Sequence, residues 1–154
     1  MSGLYVTNTL VIDASPEKVW EILTEPSQTE KYMFGCKTVS DWKVGSPLLW
    51  QAFYEGKETV FVKGFVIEIN PPFKLEYSVI DPNGTIPDLP ENYLNVSYTL
   101  EAADNKTVLT VSQGDFSKVA EGQKRYEETL NGGEGWNPIL VQIKAIAEET
   151  DATE

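Results

Sequence analysis

Six side chains carry most of what this sequence could do to another molecule. Trp50, Phe65, Tyr77 and Tyr98 stand at plausible inward positions of strand-like runs, and Trp136 and Leu140 share one face of a helix-like run near the end. Aromatic walls of this kind suit apolar or ring-containing molecules. Tyr77 and Tyr98 would also bring hydroxyls inside, and a buried hydroxyl needs a partner, which could be a ligand, water or the other phenol. Each of the six could equally fill a core and touch no ligand. Catalysis has fewer supports. Histidine is absent, which removes the commonest general base, the histidine-activated nucleophiles and the usual catalytic zinc sites. Cys36, the single cysteine, follows a glycine and reads as a small apolar residue near a strand start rather than a reactive thiol. Glu68, Glu76 and Glu101 fall on solvent-facing positions, so no carboxylate pair is poised for acid–base work. Neither cofactor nor metal is expected, since no soft ligand cluster and no Asp-x-Asp-x-Asp-Gly loop is present.

Charge narrows the partners. Twelve Lys and Arg against 24 Asp and Glu give a formal charge of −12, and Arg125 is the only arginine. Phosphate recognition leans on Arg forks and basic grooves, so nucleic acid and anionic membrane surfaces are not expected partners. No basic start followed by an apolar block marks a secretory signal, and no apolar run is long enough to span a bilayer. A reducing cytoplasm is the expected compartment. At 154 residues the chain is read as one domain, 1–154, with a core at about residues 4–147.

The elements that would position these side chains follow from alternation and turn chemistry. Leu4, Val6, Leu10 and Ile12 keep one parity over a first strand at about residues 4–13, with Asn8 as the exception. Ser15-Pro16-Glu17 starts a helix with a hydroxyl cap, a proline and an acid, and Val19, Ile22 and Leu23 form its apolar stripe. Glu25-Pro26 ends it. A second short helix runs from Ser27 to Met33 and closes at Phe34-Gly35. Strands follow at about 37–42, 47–54, 58–69, 73–80, 93–102 and 106–113. Phe73, Leu75, Tyr77 and Val79 oppose Lys74, Glu76 and Ser78; Leu94, Val96, Tyr98 and Leu100 oppose Asn95, Ser97, Thr99 and Glu101. One dry and one wet face predict an antiparallel sheet covered on one side. In the 58–69 run, Phe61, Phe65, Ile67 and Ile69 share a parity with Lys63. That predicts either a bulge near Gly64 or a rim position for Lys63.

Asp81 to Asn92 holds three prolines and reads as a long loop that could lid a cavity. Val119, Tyr126 and Leu130 fit one helical face, and Asn131-Gly132-Gly133 interrupts it. A final helix carries Trp136, Ile139, Leu140, Ile143, Ile146 and Ala147 at helical spacing. It starts either at Asn137, leaving Trp136 to staple onto Val141, or near Glu134 with Pro138 in the first turn. The acid-rich residues 148–154 read as a frayed end. Trp20 and Trp42 read as structural anchors. The class is α+β.

The motif Ala14-Ser15-Pro16-Glu17-Lys18-Val19-Trp20 with Leu23-Thr24 opens an ordered set. It continues with Trp42, Gly45-Ser46, Gly64-Phe65-Val66, Pro71-Pro72 and Leu75. Thr107, Leu109, Val111 and Gln113, then Gly135-Trp136 with Leu140, complete it. This set resembles the START-like helix-grip superfamily, also called SRPBCC. Within it, the chain is similar to the family named after the activator of the 90-kDa heat-shock protein ATPase. The resemblance implies a curved antiparallel sheet of six to seven strands wrapped around the long C-terminal helix, with two short helices after the first strand and a cavity between sheet and helix. It carries no shared catalytic set. In two-domain activators this domain is the second, and the first does much of the chaperone binding. The resulting expectation is a binding or carrier module for an apolar or aromatic small molecule. A cyclase- or hydrolase-type enzyme using the same cavity, and a protein-interaction module regulating a chaperone, are the alternatives.

Overall fold

Strand alternation on one face and one apolar helix stripe must bury each other, and they do. The computed structural model describes residues 3–33 and 35–149. Strands β1 (Val6–Ile12), β2 (Lys37–Ser40), β3 (Pro47–Tyr54), β4 (Lys57–Asn70), β5 (Lys74–Val79), β6 (Leu94–Ala103) and β7 (Lys106–Gly114) form one sheet in the order β1-β7-β6-β5-β4-β3-β2. All neighbours run antiparallel. Helices α1 (Pro16–Thr24) and α2 (Pro26–Tyr32) lie between β1 and β2; α3 (Gly122–Leu130) and α4 (Asn137–Glu149) follow the sheet. The α+β helix-grip architecture is the one expected. Leu140, Ile143, Ile146 and Ala147 of α4 are buried with Leu75, Tyr98, Leu100, Leu109 and Val111 of the sheet and Val19, Ile22 and Leu23 of α1. Each such side chain removed from water contributes about 1.5–3 kcal/mol, offset largely by chain entropy.

Local chemistry sets the helix ends. The Ser15 hydroxyl accepts from Lys18 N at 3.2 Å, capping α1 as its sequence predicts. At the other end, the Tyr32 hydroxyl donates to Leu23 O at 3.1 Å and the Thr38 hydroxyl to Thr24 O at 2.8 Å. Two carbonyls that the helix cannot satisfy itself are thus paired in the interior. Cys36 is buried beside this knot, and burial pushes its thiol pKa up, as fits a packed, unreactive side chain.

Several expectations change in detail. Val119 lies outside α3, which begins at Gly122 and buries none of its residues fully. Its Tyr126 instead packs edge-on against the wholly buried Phe116, with ring centroids 5.7 Å apart. Asn137 is the first residue of α4, and Trp136 precedes it, its carbonyl accepting from Leu140 N at 3.0 Å. Trp136 packs on Tyr98, while Val141 is exposed, so there is no staple between them. The residue Phe34, expected to help close α2, and most of the acidic end, 150–154, lie outside the described residues.

Candidate functional site

The inward face of the sheet is organised in cross-strand rows. One row runs Tyr77, Val96, Gln113 and Val6; the next runs Leu75, Tyr98, Val111 and Asn8. Both rows converge on Trp136. Its backbone N–H donates to Asn8 Oδ1 at 2.9 Å, and its indole N–H donates to Gln113 Oε1 at 3.1 Å. The Asn8 amide also donates to Glu134 O at 3.2 Å. Asn8, the apparent exception in the β1 alternation, is therefore the residue that pins the start of α4. Between the two lies Gly135, with φ +54°; a Cβ there would sit 2.5 Å from Asn8 Oδ1. Both the left-handed backbone and the close approach call for glycine.

Four of the predicted aromatics meet in one continuous ladder. Trp50 and Tyr77 have ring centroids 6.1 Å apart, Tyr77 and Tyr98 6.3 Å, and Tyr98 and Trp136 6.1 Å, the last pair edge-to-face. All four are buried. A cleft of about 160 Å³ opens over this ladder, lined by Met33, Trp50, Val62, Tyr77, Val79, Val96, Gln113 and Trp136. Tyr98 and Leu140, both wholly buried, lie in the core rather than in the cleft wall. A larger side chain at Leu140 would overpack that core.

Phe65 does not join the ladder, which corrects its expected inward position. Two bulges explain why. The β3–β4 register slips at Phe61, where Trp50 pairs with Val62 but Gln51 with Val60. The β4–β5 register slips again at Ile67. Between these bulges Val62, Gly64 and Val66 take the inward parity, and Lys63 and Phe65 turn outward. Phe65 is 48% exposed. Gly64 sits between the bulges, not in one; a Cβ on it would lie 1.6 Å from the Ser78 carbonyl oxygen.

The 81–92 loop follows Phe65 to the outer face. Lys63 forms an ion pair with Asp88, and the Tyr93 hydroxyl donates to Asp88 Oδ1 at 2.6 Å. The Lys63 hydrogen bond, then that of Tyr93, holds the Asp88 carboxyl below its usual range. Phe65, Ser78, Asp88, Pro90, Tyr93 and Asn95 surround a hollow of about 270 Å³ on that side. None of the inner cleft's lining residues comes from the loop, so it is not a lid over the cleft.

The electrostatics of the ladder are those of a dry wall. Burial raises the Tyr77, Tyr98 and Tyr32 phenol pKa values, keeping all three neutral at physiological pH. The Tyr98 hydroxyl approaches that of Tyr77 but makes no hydrogen bond of good geometry among the described residues. Among the described residues, no carboxylate, lysine or cysteine lines the cleft. Among the described residues, no group of three or more His, Cys, Asp and Glu side chains could hold a metal ion. No helix there is long and apolar enough to cross a membrane. The single arginine is occupied structurally, its guanidinium donating to Asn92 O and Ala120 O.

Sequence reasoning missed Met33, Val62, Val79, Val96 and Gln113 as cleft residues. Val79 and Val96 already stood on the dry faces of their strands. Gln113 carried the clearest signal, a polar residue at the inward end of the Thr107, Leu109, Val111 alternation. Met33, just past α2, carries none.

Comparison with known proteins agrees with this architecture. A solution structure of a protein from Cytophaga hutchinsonii superposes with a TM-score of 0.73 at 33% identity, covering 99% of both chains. A crystal structure of a protein from Nitrosomonas europaea gives 0.72 at 18% identity over 97% of each chain. A solution structure of a protein from Arthrobacter aurescens gives 0.71 at 21% identity, covering 96% of this chain and 87% of that one. The last two likenesses speak to fold alone. No curated protein matches the chain. The model of the family described as "Activator of Hsp90 ATPase homolog 1-like protein" matches residues 13–148, nearly the whole described fold, and the chain belongs to that family.

Proposed function

We propose that the chain is a binding or carrier module for an apolar or aromatic small molecule held between the sheet and the start of α4. The observation that carries this reading is the cleft itself: about 160 Å³, walled by Trp50, Tyr77 and Trp136, with Gln113 as its one amide. That is the composition of a small-molecule site, apolar with a few placed polar groups. Membership of a family of ligand-binding and regulatory modules is consistent with it. A ring burying about 200 Å² of apolar surface gains about 5 kcal/mol before association costs, so affinities in the millimolar to high-micromolar range are expected. The cyclase or hydrolase alternative gains no support from the lining, which lacks an acid–base pair. The test is a titration of toluene followed by amide chemical shifts in wild type and in Val96→Phe, a substitution placed to fill the cleft. Shifts at Trp50, Tyr77 and Trp136 that saturate in wild type and vanish in a folded Val96→Phe support the reading. Equal binding by both refutes it.

A second reading, docking of a protein partner such as a chaperone, rests on the β3–β4 hairpin. There Phe53 is 75% exposed and Tyr54 57%, a pair of aromatics that water disfavours. Stimulation of an Hsp90-type ATPase that is lost in Phe53→Ser, with toluene binding unchanged, would favour it. No stimulation by the wild type would count against it.

A further inference from the structure

One amide at the cleft wall is held in a fixed orientation, and that orientation describes a ligand. The indole N–H of Trp136 is a donor only, so the Gln113 atom it meets at 3.1 Å must be the carbonyl oxygen. The amide is thereby fixed in orientation, and its NH₂ is the group Gln113 has left to offer at the cleft wall. One layer deeper, against both Tyr77 and Trp136, the Tyr98 hydroxyl is buried with no hydrogen bond of good geometry among the described residues. The Trp136 N–H and Gln113 Oε1 satisfy each other, which leaves the Gln113 NH₂ as a donor at the wall beside the Tyr77 hydroxyl, which can donate or accept. Among the described residues, the wall holds no cation to receive an anion and no carboxylate to receive a cation. An unpaired ionic ligand would lose its hydration for nothing in return. The volume sets the size: a cavity of about 150 Å³ accommodates a benzene ring, and this one has about 160 Å³.

We propose that the cleft selects a neutral, single-ring ligand carrying a hydrogen-bond acceptor such as a ketone, aldehyde or ester carbonyl, with the Gln113 NH₂ as the donor that recognises it. The proposal rests on the reading of the cleft as a small-molecule site and adds the polarity, charge and size of what enters. Trp136 then has a positioning role: it closes the wall and locks the Gln113 amide with its donor face available.

The experiment uses three probes, acetophenone, toluene and benzoate, each titrated at pH 7.5 against wild type and Gln113→Leu with amide chemical shifts as the readout. The expected result is an approximately tenfold loss of acetophenone affinity in the variant, with toluene affinity unchanged, because the ligand carbonyl loses the Gln113 donor. Benzoate should bind at least tenfold more weakly than acetophenone in wild type. If Gln113→Leu fails to fold because Trp136 has lost its acceptor, Gln113→Glu keeps an oxygen for the indole and replaces the NH₂ with an acceptor; the same selective loss is expected. Acetophenone and toluene weakened alike, or neither weakened, would overturn the acceptor inference while leaving the cleft reading standing. Benzoate binding as tightly as acetophenone would overturn the requirement for neutrality. Absence of binding by both toluene and acetophenone in wild type would remove the cleft reading and this inference with it.

Discussion

Removing the Tyr98 hydroxyl should make the free protein more stable. Most deletions of a polar atom from a core cost stability, because they break a hydrogen bond. Tyr98 is the reverse case. Its ring is wholly buried against Tyr77 and Trp136, and its hydroxyl makes no good hydrogen bond among the described residues. A buried polar group without a partner costs about 1–3 kcal/mol of desolvation. Tyr98→Phe keeps the ring, its edge-to-face contact with Trp136 and nearly all of the buried area. The gain is therefore expected at about 1 kcal/mol, taking the low end because the Tyr77 phenol lies close enough to recover part of the cost. For a chain of this size that raises the melting midpoint by about 3 °C. The assay is urea unfolding of wild type, Tyr77→Phe, Tyr98→Phe and the double variant. An unchanged m-value would show that only stability moved. The double variant also measures whether the two phenols are coupled, since coupled neighbours depart from additivity by 0.5 kcal/mol or more, about the resolution of the method. A Tyr98→Phe protein less stable than wild type would refute the reasoning, because the hydroxyl would then have a partner, whether ordered water or Tyr77.

Three further outcomes are expected. Gly135→Ala should lose about 2–3 kcal/mol, from a left-handed φ that alanine resists and a Cβ pressed on Asn8 Oδ1; a melting midpoint within 2 °C of wild type would contradict it. Phe65→Ser should change stability by less than about 1 kcal/mol and leave toluene binding untouched, since Phe65 stands on the outer face; lost binding would place it back at the site. Asp115 accepts from Leu4 N, and from the Ser117 hydroxyl and N, contacts that hold its carboxyl below the usual carboxylate range. A depressed folded pKa means that its contribution is present above about pH 4 and lost as pH falls through the folded value. Thermal melts from pH 5 to pH 2 should therefore show a shallower acid decline in Asp115→Asn than in wild type; parallel curves would show that Asp115 carries none of it.

The fold was legible because its evidence is repeated: each inward position of β5, β6 and β7 is confirmed by the next one two residues on, and one error does not flip a face. The candidate site was legible only where that repetition held. Tyr77 and Tyr98 came together because β5, β6 and β7 keep one register from end to end, and Trp50 stands ahead of the slip in its own strand. Phe65 did not, because β4 carries an extra residue at Phe61 and another at Ile67. A bulge needs no particular side chain, so neither marks itself in the sequence, yet each inverts the parity of the residues beyond it. The clue that was present was Lys63, whose parity with the apolar residues was an inconsistency to resolve in favour of the lysine: a charged side chain faces water or a partner, and it found Asp88.

The same logic bears on what polar exceptions mean. Asn8 and Gln113 interrupt apolar alternations on neighbouring strands, and burial of either amide without partners would cost more than an apolar residue at the same place. Both are there because Trp136 needs them. A tryptophan at the start of α4 brings a backbone N–H that no preceding turn of helix can satisfy and an indole N–H that no apolar wall can. Asn8 takes the first and Gln113 the second. The start of the gripping helix is thus fixed to the sheet by hydrogen bonds that have direction, while the rest of α4 is held by packing that has little. An amide suits position 113, since it accepts from the indole through its oxygen and keeps its NH₂ as a separate donor.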